Sequence, residues 1–324
     1  MSCSNPSRIY VMVNAETGEL DYHFAGPARD SAVQSRALNS DNPLVVDVLN
    51  IPCRRCVGCR LDYSRDWANR MLLEFQHTKK AVFVTLTYNN DSVPLSGSGR
   101  MTLSKRDCQL FMKRLRKVFS GTEIRFFLGG EYGPLHNRPH YHAILFGLSL
   151  SDFGELIVRD VNELGQPSFE SSVLDRIWSS GFSTVSDVSF QTFAYCARYV
   201  LKKQHLKDYV KDGKELYTPE FSLMSRKPGL GAYYITNDFL DGINCSVSDG
   251  HEVKTFPLPS SLLKLLKDVN PQKYAELKQS RKDLADDRLE VELSCTDLPF
   301  LDYLKLKEDK LLARTAVIRN RKEL

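Results

Sequence analysis

The 324-residue chain has no apolar run of 18 residues, so nothing in it reads as a transmembrane helix and no membrane partner is expected. It has no G-x-x-x-x-G-K-[ST] loop, which argues against an ATP-driven motor and a bound nucleotide cofactor. The opening residues, MSCSNPSRIY, lack a basic region followed by an apolar block, so no secretory signal is expected. There is no internal repeat. The net charge of +4 is too mild to define a partner. Histidine is scarce, at seven residues. With 42 % hydrophobic and 26 % charged residues, the composition is that of a folded soluble protein, long enough for one large domain or two modest ones.

The distribution of charge says more than its sum. Between Arg100 and Lys117 stand seven basic residues, among them Lys113 and Arg114, against one acid, Asp107. Between Arg198 and Lys214 stand six basic residues, among them Lys202 and Lys203, against two acids. Such stripes suit a phosphate backbone, although one stripe alone is as readily a solvated helix face. The eight cysteines are also uneven, with Cys53, Cys56 and Cys59 crowded into CRRCVGC. Without a secretory signal, a metal site is a better use for them than a disulfide framework. Structural zinc takes four ligands, so a fourth must come from elsewhere, with His23 and His77 as options. An iron–sulfur cluster fits the spacing but has no support from the rest of the chain. Three reduced, partly buried cysteines without metal are the plain alternative.

Periodicity supplies the elements. Short strands are expected at RIYVMV and LVVDVL. RLDYSRDWANRMLLEF reads as a helix, with Leu61, Trp67, Met71, Leu72 and Phe75 forming a stripe. AVFVTLTY (81–88) is rich in β-branched and aromatic residues and reads as a strand. Residues 102–119 form an amphipathic helix, with Cys108, Phe111, Met112 and Leu115 on the apolar side. Two strands, 123–132 and 138–147, are joined by the turn-rich GPLHN. SSVLDRIW (helix), GFSTVSDVSF (strand) and 192–204 (helix) follow. Residues 205–256 read as loop-rich, and from Pro259 the chain is helical and charge-mixed. Adjacent antiparallel strands within this order predict an α+β fold, a mainly antiparallel central sheet flanked by helices. The expected division is an N-terminal segment with the cysteines and a helix (1–78), a catalytic domain (79–205) and a C-terminal region of unassigned role (206–324).

Two constellations carry chemistry. In RPHYHAILFG the strand period of two puts His140, His142, Ile144 and Phe146 on one face. Two imidazoles are too few for a useful cation site. Glu131, near the end of the preceding strand, is placed by a hairpin beside His140, and His136 competes as third ligand from the link. Hydrogen-bonded core histidines are the alternative. Tyr195 and Tyr199 lie four apart on a predicted helix and share a face, flanked by Arg198, Lys202 and Lys203. A phenol attacks a phosphodiester when a metal polarises the phosphate and cations stabilise the oxyanion. Ordinary amphipathic packing is the competing use of such a pair.

FVTLTY, GEYGPLHNRPHYHAILFG and YCARYVLKK, in this order, resemble the three motifs of the rolling-circle replication initiators, the endonucleases named HUH for their His-hydrophobic-His strand. Y-x-x-x-Y-V-x-K is similar to the two-tyrosine subgroup. PCRRCVGCRLDYSRDWANR, before the first motif, resembles the initiators of the Microviridae, gokushoviruses in particular. The resemblance covers roughly residues 1–205.

The resemblance implies His140 and His142 as metal ligands, with Glu131 as the third. It implies Tyr195 and Tyr199 as alternating nucleophiles that hold a 5′ phosphate, Lys202 as an aid at the phosphate or leaving oxygen, and Arg198 as a phosphate contact. Thr85 to Tyr88 are implied to line the site. The related initiators also begin with a cysteine near the N-terminus, which implies Cys3 as a fourth zinc ligand. The expected cofactors are Mg²⁺ or Mn²⁺, the histidines favouring Mn²⁺, with Zn²⁺ in a structural role. The expected activity is nicking and religation of single-stranded DNA at the origin of a circular phage genome, in the host bacterial cytoplasm, with a host helicase and polymerase. A zinc-stabilised DNA-binding protein without nicking activity, and a transposase or plasmid initiator of the same class, are the other readings.

Overall fold

The computed structural model describes residues 3–28, 30, 45–133, 136–162, 165–198, 210–211, 214–236, 244–248 and 252–320. The chain divides into two compact units, residues 64–277 and residues 1–63 with 278–324.

The larger unit is built on a seven-stranded sheet in the order β12-β5-β6-β4-β9-β8-β7, with every pairing antiparallel. These strands are β4 (Ala81–Tyr88), β5 (Arg125–Tyr132), β6 (Pro139–Phe146), β7 (Ile157–Val161), β8 (Pro167–Glu170), β9 (Gly181–Asp187) and β12 (Phe221–Met224). The expected α+β architecture is the one observed. Alternation along β4 explains its central position. Val82, Val84, Leu86 and Tyr88 are buried on one face, and Phe83 and Thr85 are half-buried on the other.

On the first face Val82, Val84 and Leu86 join Leu128, Tyr141, Ala143 and Leu145 in a core closed by α2 (Lys105–Val118) and α3 (Ser172–Ile177). Helix α2 starts where the Ser104 hydroxyl accepts from the Asp107 N–H at 3.2 Å. Asp107 in its first turn and Arg116 and Lys117 in its last complement the helix dipole. It presents Cys108, Phe111, Met112 and Leu115 to the sheet. Fully burying a side chain of the size of Phe111 or Leu115 stabilises by about 1.5–3 kcal/mol.

The second core gathers Phe127, Ile144 and Phe146 from the sheet. Over them lie Trp67, Met71 and Leu72 from α1 (Val57–Thr78), and Phe193, Cys196 and Ala197 from α4 (Phe190–Ala197). Leu262 and Leu266 of α6 (Ser260–Val269) and the hairpin of β13 (Asn244–Ser248) and β14 (Val253–Pro257) complete it. The apolar stripe expected around residues 60–75 is therefore a core face. A buried ion pair joins Arg125 of β5 to Glu74 of α1. Glu74 Oε2 also accepts the Gly231 N–H at 2.6 Å, and Arg125 Nη2 donates to the Pro228 carbonyl at 2.8 Å. The charges that the packing hides are thus given hydrogen-bond partners as well as each other.

The smaller unit contains a three-stranded antiparallel sheet, β2-β1-β3, of β1 (Ser7–Val13), β2 (Leu20–Pro27) and β3 (Val45–Ile51). It also holds most of α7 (Pro271–Ser294), and α8 (Phe300–Asn320), where Glu292 accepts from both Tyr303 and Lys307. Among the described residues no helix is long and apolar enough to cross a membrane.

Candidate metal and tyrosine site

The site grows from the register of three neighbouring strands. Glu131 on β5 stands opposite His140 on β6, and Gly129 opposite His142. On the other side of β6, Thr85 and Thr87 of β4 pair with His142 and His140. Directly opposed residues share a face, so Glu131, both histidines and both threonines project on the side covered by α4. Gly129 sets no side chain beside His142, which leaves room for the Glu131 carboxylate to lean across.

That carboxylate collects both imidazoles. Glu131 Oε1 lies 2.8 Å from His140 Nε2 and 3.1 Å from His142 Nε2. The side chains of Glu131, His140 and His142 retain 9 %, 18 % and 10 % exposure, so the cluster is enclosed but reachable at His140. The far ring nitrogens are also held, His142 Nδ1 by the Thr85 hydroxyl and His140 Nδ1 by the Arg138 carbonyl, both at 3.1 Å. A carbonyl only accepts, so His140 Nδ1 carries a proton. In a neutral ring, His140 Nε2 then turns a lone pair towards a carboxylate oxygen at 2.8 Å. That contact is repulsive unless a cation is shared between the two. Two imidazole nitrogens and a carboxylate oxygen, each histidine oriented from behind, fit a divalent cation with positions left for other oxygens.

Helix α4 brings the phenol. Ser189 caps it by accepting from the Thr192 N–H, and Phe193, Cys196 and Ala197 anchor it on the sheet. Tyr195 is half-buried beside them, its ring edge-on to His142 at 5.6 Å and to Phe83 at 6.2 Å. Phe83 in turn lies parallel to His142, with centroids 5.5 Å apart. The Arg198 guanidinium is 5.3 Å from the Tyr195 ring centroid. Burial pushes the Cys196 thiol up, and the nearby Glu131 charge adds to the effect.

The structure therefore brings together Glu131, His140, His142, Tyr195 and Arg198. Tyr199, Lys202 and Lys203 lie outside the described residues. His136 is exposed in the link and outside the cluster. Lys113 and Arg114 sit on α2, on the opposite face of the sheet. Lys113 is exposed there, and Arg114 is bonded to the Ile177 carbonyl and the Ser179 hydroxyl. Tyr88 corrects an expectation, because it does not line the site. Strand alternation sends it to the first core, where its hydroxyl bonds Asp107 at 2.7 Å and Tyr141 at 2.8 Å. Phe83 and the Arg138 carbonyl are contributors that sequence reasoning missed. Phe83 had one signal, its position two residues before Thr85 on the same strand face.

Cys3, Cys53, Cys56 and Cys59 form a second cluster, in the smaller unit, with all four sulfurs within 4.8 Å of one another. Burial raises the Cys3 thiol to about 11. Burial also opposes ionisation of Cys56, but donation from the Cys59 N–H and from Ser4 outweighs it and brings that thiol down to about 6. The alternatives His23 and His77 stay outside this cluster, His23 on β2 opposite Tyr10 and His77 stacked on Tyr233.

A family model for replication-associated proteins of the ORF2 type matches residues 81–204, which run from β4 through the histidine hairpin and α4. Replication-associated protein ORF2 of Spiroplasma virus 4 is 30 % identical over 323 residues, covering 97 % of this chain and 88 % of that protein. Replication-associated protein VP4 of Bdellovibrio phage phiMH2K is 30 % identical over 261 residues, covering 73 % of this chain and 78 % of that protein. Replication-associated protein ORF4 of Chlamydia phage 1 is 30 % identical over 163 residues, covering 47 % of this chain and 38 % of that protein. No solved structure matches. With likeness along nearly its whole length, the chain belongs to the replication-associated proteins of small phages.

Proposed function

We propose that this protein initiates rolling-circle replication of a small circular phage genome by nicking single-stranded DNA at an origin, with Tyr195 as a nucleophile. The observation that carries the reading is the 5.6 Å approach of the Tyr195 ring to His142, itself held to Glu131 with His140.

In the reaction the phenol oxygen attacks a backbone phosphorus. The bond to the 3′ oxygen breaks as the bond to the tyrosine oxygen forms, which leaves a 5′-phosphotyrosine and a free 3′ hydroxyl. The phenol proton is lost and the departing oxygen gains one. Glu131, His140 and His142 are the residues that would hold Mg²⁺ or Mn²⁺. When bound, such an ion supplies charge neutralisation and polarisation at the phosphate. The histidines favour Mn²⁺. Thr85 and the Arg138 carbonyl fix the imidazole orientations, and Arg198 offers positive charge beside the phenol. Tyr199 completes the pair for the second transfer, which closes the circle, with Lys202 assisting at the phosphate. Lys203 adds phosphate contact near them. Lys113 and Arg114, on the far sheet face, serve DNA beyond the cleaved position. The 3′ hydroxyl primes a host polymerase behind a host helicase, in the bacterial cytoplasm. The phage names of the relatives support this biology over that of a transposase or plasmid initiator.

The test uses end-labelled single-stranded oligonucleotides tiled across the phage genome, incubated with the full chain and Mn²⁺. The expected result is a covalent protein–DNA band from one tile, lost in Tyr195→Phe/Tyr199→Phe. No adduct from any tile, or an undiminished adduct in the double variant, overturns nicking and leaves the reading of a DNA-binding protein without it.

A further inference from the structure

The cysteine cluster has no part in the nicking chemistry, and its four sulfurs come from separate places in the smaller unit. Cys3 precedes β1, Cys53 follows β3, Cys56 stands just before α1, and Cys59 lies in the first turn of that helix. We infer that Cys3, Cys53, Cys56 and Cys59 bind one zinc ion as a structural site, which ties the entry to β1 and the exit from β3 to the start of α1.

The sulfur geometry fits a single ion. The Cys3–Cys56 and Cys53–Cys59 sulfur separations are 3.9 Å and 4.0 Å. Zinc–sulfur bonds of about 2.3 Å arranged as a tetrahedron have edges of about 3.8 Å. A cluster of several irons holds its cysteine sulfurs farther apart than this. The backbone is also arranged around the sulfurs. Cys53 Sγ faces the N–H groups of Arg55 and Cys56 at 3.4 and 3.3 Å. Cys56 Sγ faces the Cys59 N–H at 3.5 Å, and Cys3 Sγ the Cys53 N–H at 3.3 Å. N–H groups pointed at sulfur favour thiolates, and thiolates are what zinc takes. Arg54, between the first two ligands of the run, has a φ of +61°. That left-handed residue lets Cys53 and Cys56 turn to one side, a conformation costly for a non-glycine residue and retained where the surroundings demand it. Cys3 and Cys59 are 2 % and 8 % exposed, so converging sulfurs are withdrawn from water among donors that favour their ionised form. A shared cation satisfies them together.

The test is metal analysis of the purified full chain under reducing conditions, after dialysis against a mild chelator. About one zinc ion per chain is expected in the wild type and in His140→Ala, and none in Cys53→Ser/Cys56→Ser. Because the cysteine variant is liable to misfold, Co²⁺ exchange into wild-type protein supplies a second readout. The expected spectrum has thiolate-to-cobalt charge-transfer bands and the intense d–d bands of a tetrahedral thiolate site. A metal-free chain whose four thiols titrate freely in the native state overturns the inference. So does iron with acid-labile sulfide, or zinc that persists in the cysteine variant. Loss of zinc in His140→Ala assigns the metal to the histidine site and overturns it as well.

Discussion

The imidazole of His142 and the phenol ring of Tyr195 meet edge to face, although 53 residues of chain separate them. Phe83 touches both, stacked on one and edge-on to the other, so strand β6 and helix α4 are locked together at the point where the nucleophile is needed. Replacing Tyr195 by Phe removes the attacking oxygen and leaves the ring contacts in place. Stability is expected to change by less than about 1 kcal/mol, the scale of one hydrogen bond. Covalent adduct at Tyr195 is expected to vanish, read by peptide mapping of the DNA-linked protein. Adduct formation at the wild-type rate in this variant, with linkage only to Tyr199, would remove Tyr195 from the first cleavage.

Thr85 acts from behind His142. Its hydroxyl is 3.1 Å from His142 Nδ1, on the side of the ring away from Glu131. Thr85→Val keeps the shape and deletes the partner. Outer-shell partners of this kind are worth about 10–100-fold in metal affinity. The Mn²⁺ concentration giving half-maximal adduct is therefore expected to rise about 10–100-fold, with the rate recovered at saturating Mn²⁺. An unchanged Mn²⁺ dependence would show that Thr85 merely fills space.

What the sequence reveals of this site divides by the range of the interaction. The shared face of His140 and His142 follows from strand alternation, and Glu131 follows from the hairpin, both local features. Phe83 and Thr85 reach His142 through the register of β4 on β6, a pairing across more than 50 residues that no local pattern specifies. Tyr88 shows the opposite failure. Alternation alone sends it away from Thr85, and reading the segment as one motif obscures that. Among the strands, β4 is plain from its β-branched run. The edge strand β7 escapes notice because all five of its residues are exposed, so no buried face imposes a pattern. Strand β12 escapes it because four residues are too few to show a period.

The Glu74–Arg125 pair joins α1 to the strand that carries Glu131. Both side chains are almost fully withdrawn from water. Glu74→Ala leaves the Arg125 guanidinium buried without its counter-charge and the Gly231 N–H without its acceptor. A loss of about 3–5 kcal/mol is expected, measured as a lower urea midpoint. Pairing the change with Arg125→Met is expected to recover part of that loss, since the stranded charge goes with it. A fully additive double variant would show that the two residues do not act as a pair.

Tyr88 predicts how the protein fails in alkali. Burial raises its ionisation well above the ordinary tyrosine value of 10.0, and the neighbouring Tyr141 and Asp107 add to the rise. Below pH 10 the phenol is protonated in both the folded and unfolded chain, and its contribution to stability is fully present. Above that pH the unfolded chain releases the proton while the folded one retains it, so the unfolded state binds fewer protons and stability falls as pH rises. The slope expected from this residue is about 1.4 kcal/mol per pH unit. The buried Cys108 thiol, pushed up by burial and by Asp107, adds the same sign of dependence from its own ordinary value of 9.0. Tyr88→Phe is expected to cost stability at pH 7, because Asp107 and Tyr141 each lose a partner, and to flatten the decline above pH 10. Urea titrations of both proteins from pH 7 to about 11 read the two effects separately. An alkaline slope unchanged by the substitution would mean that Tyr88 ionises in the folded protein as it does in the unfolded one.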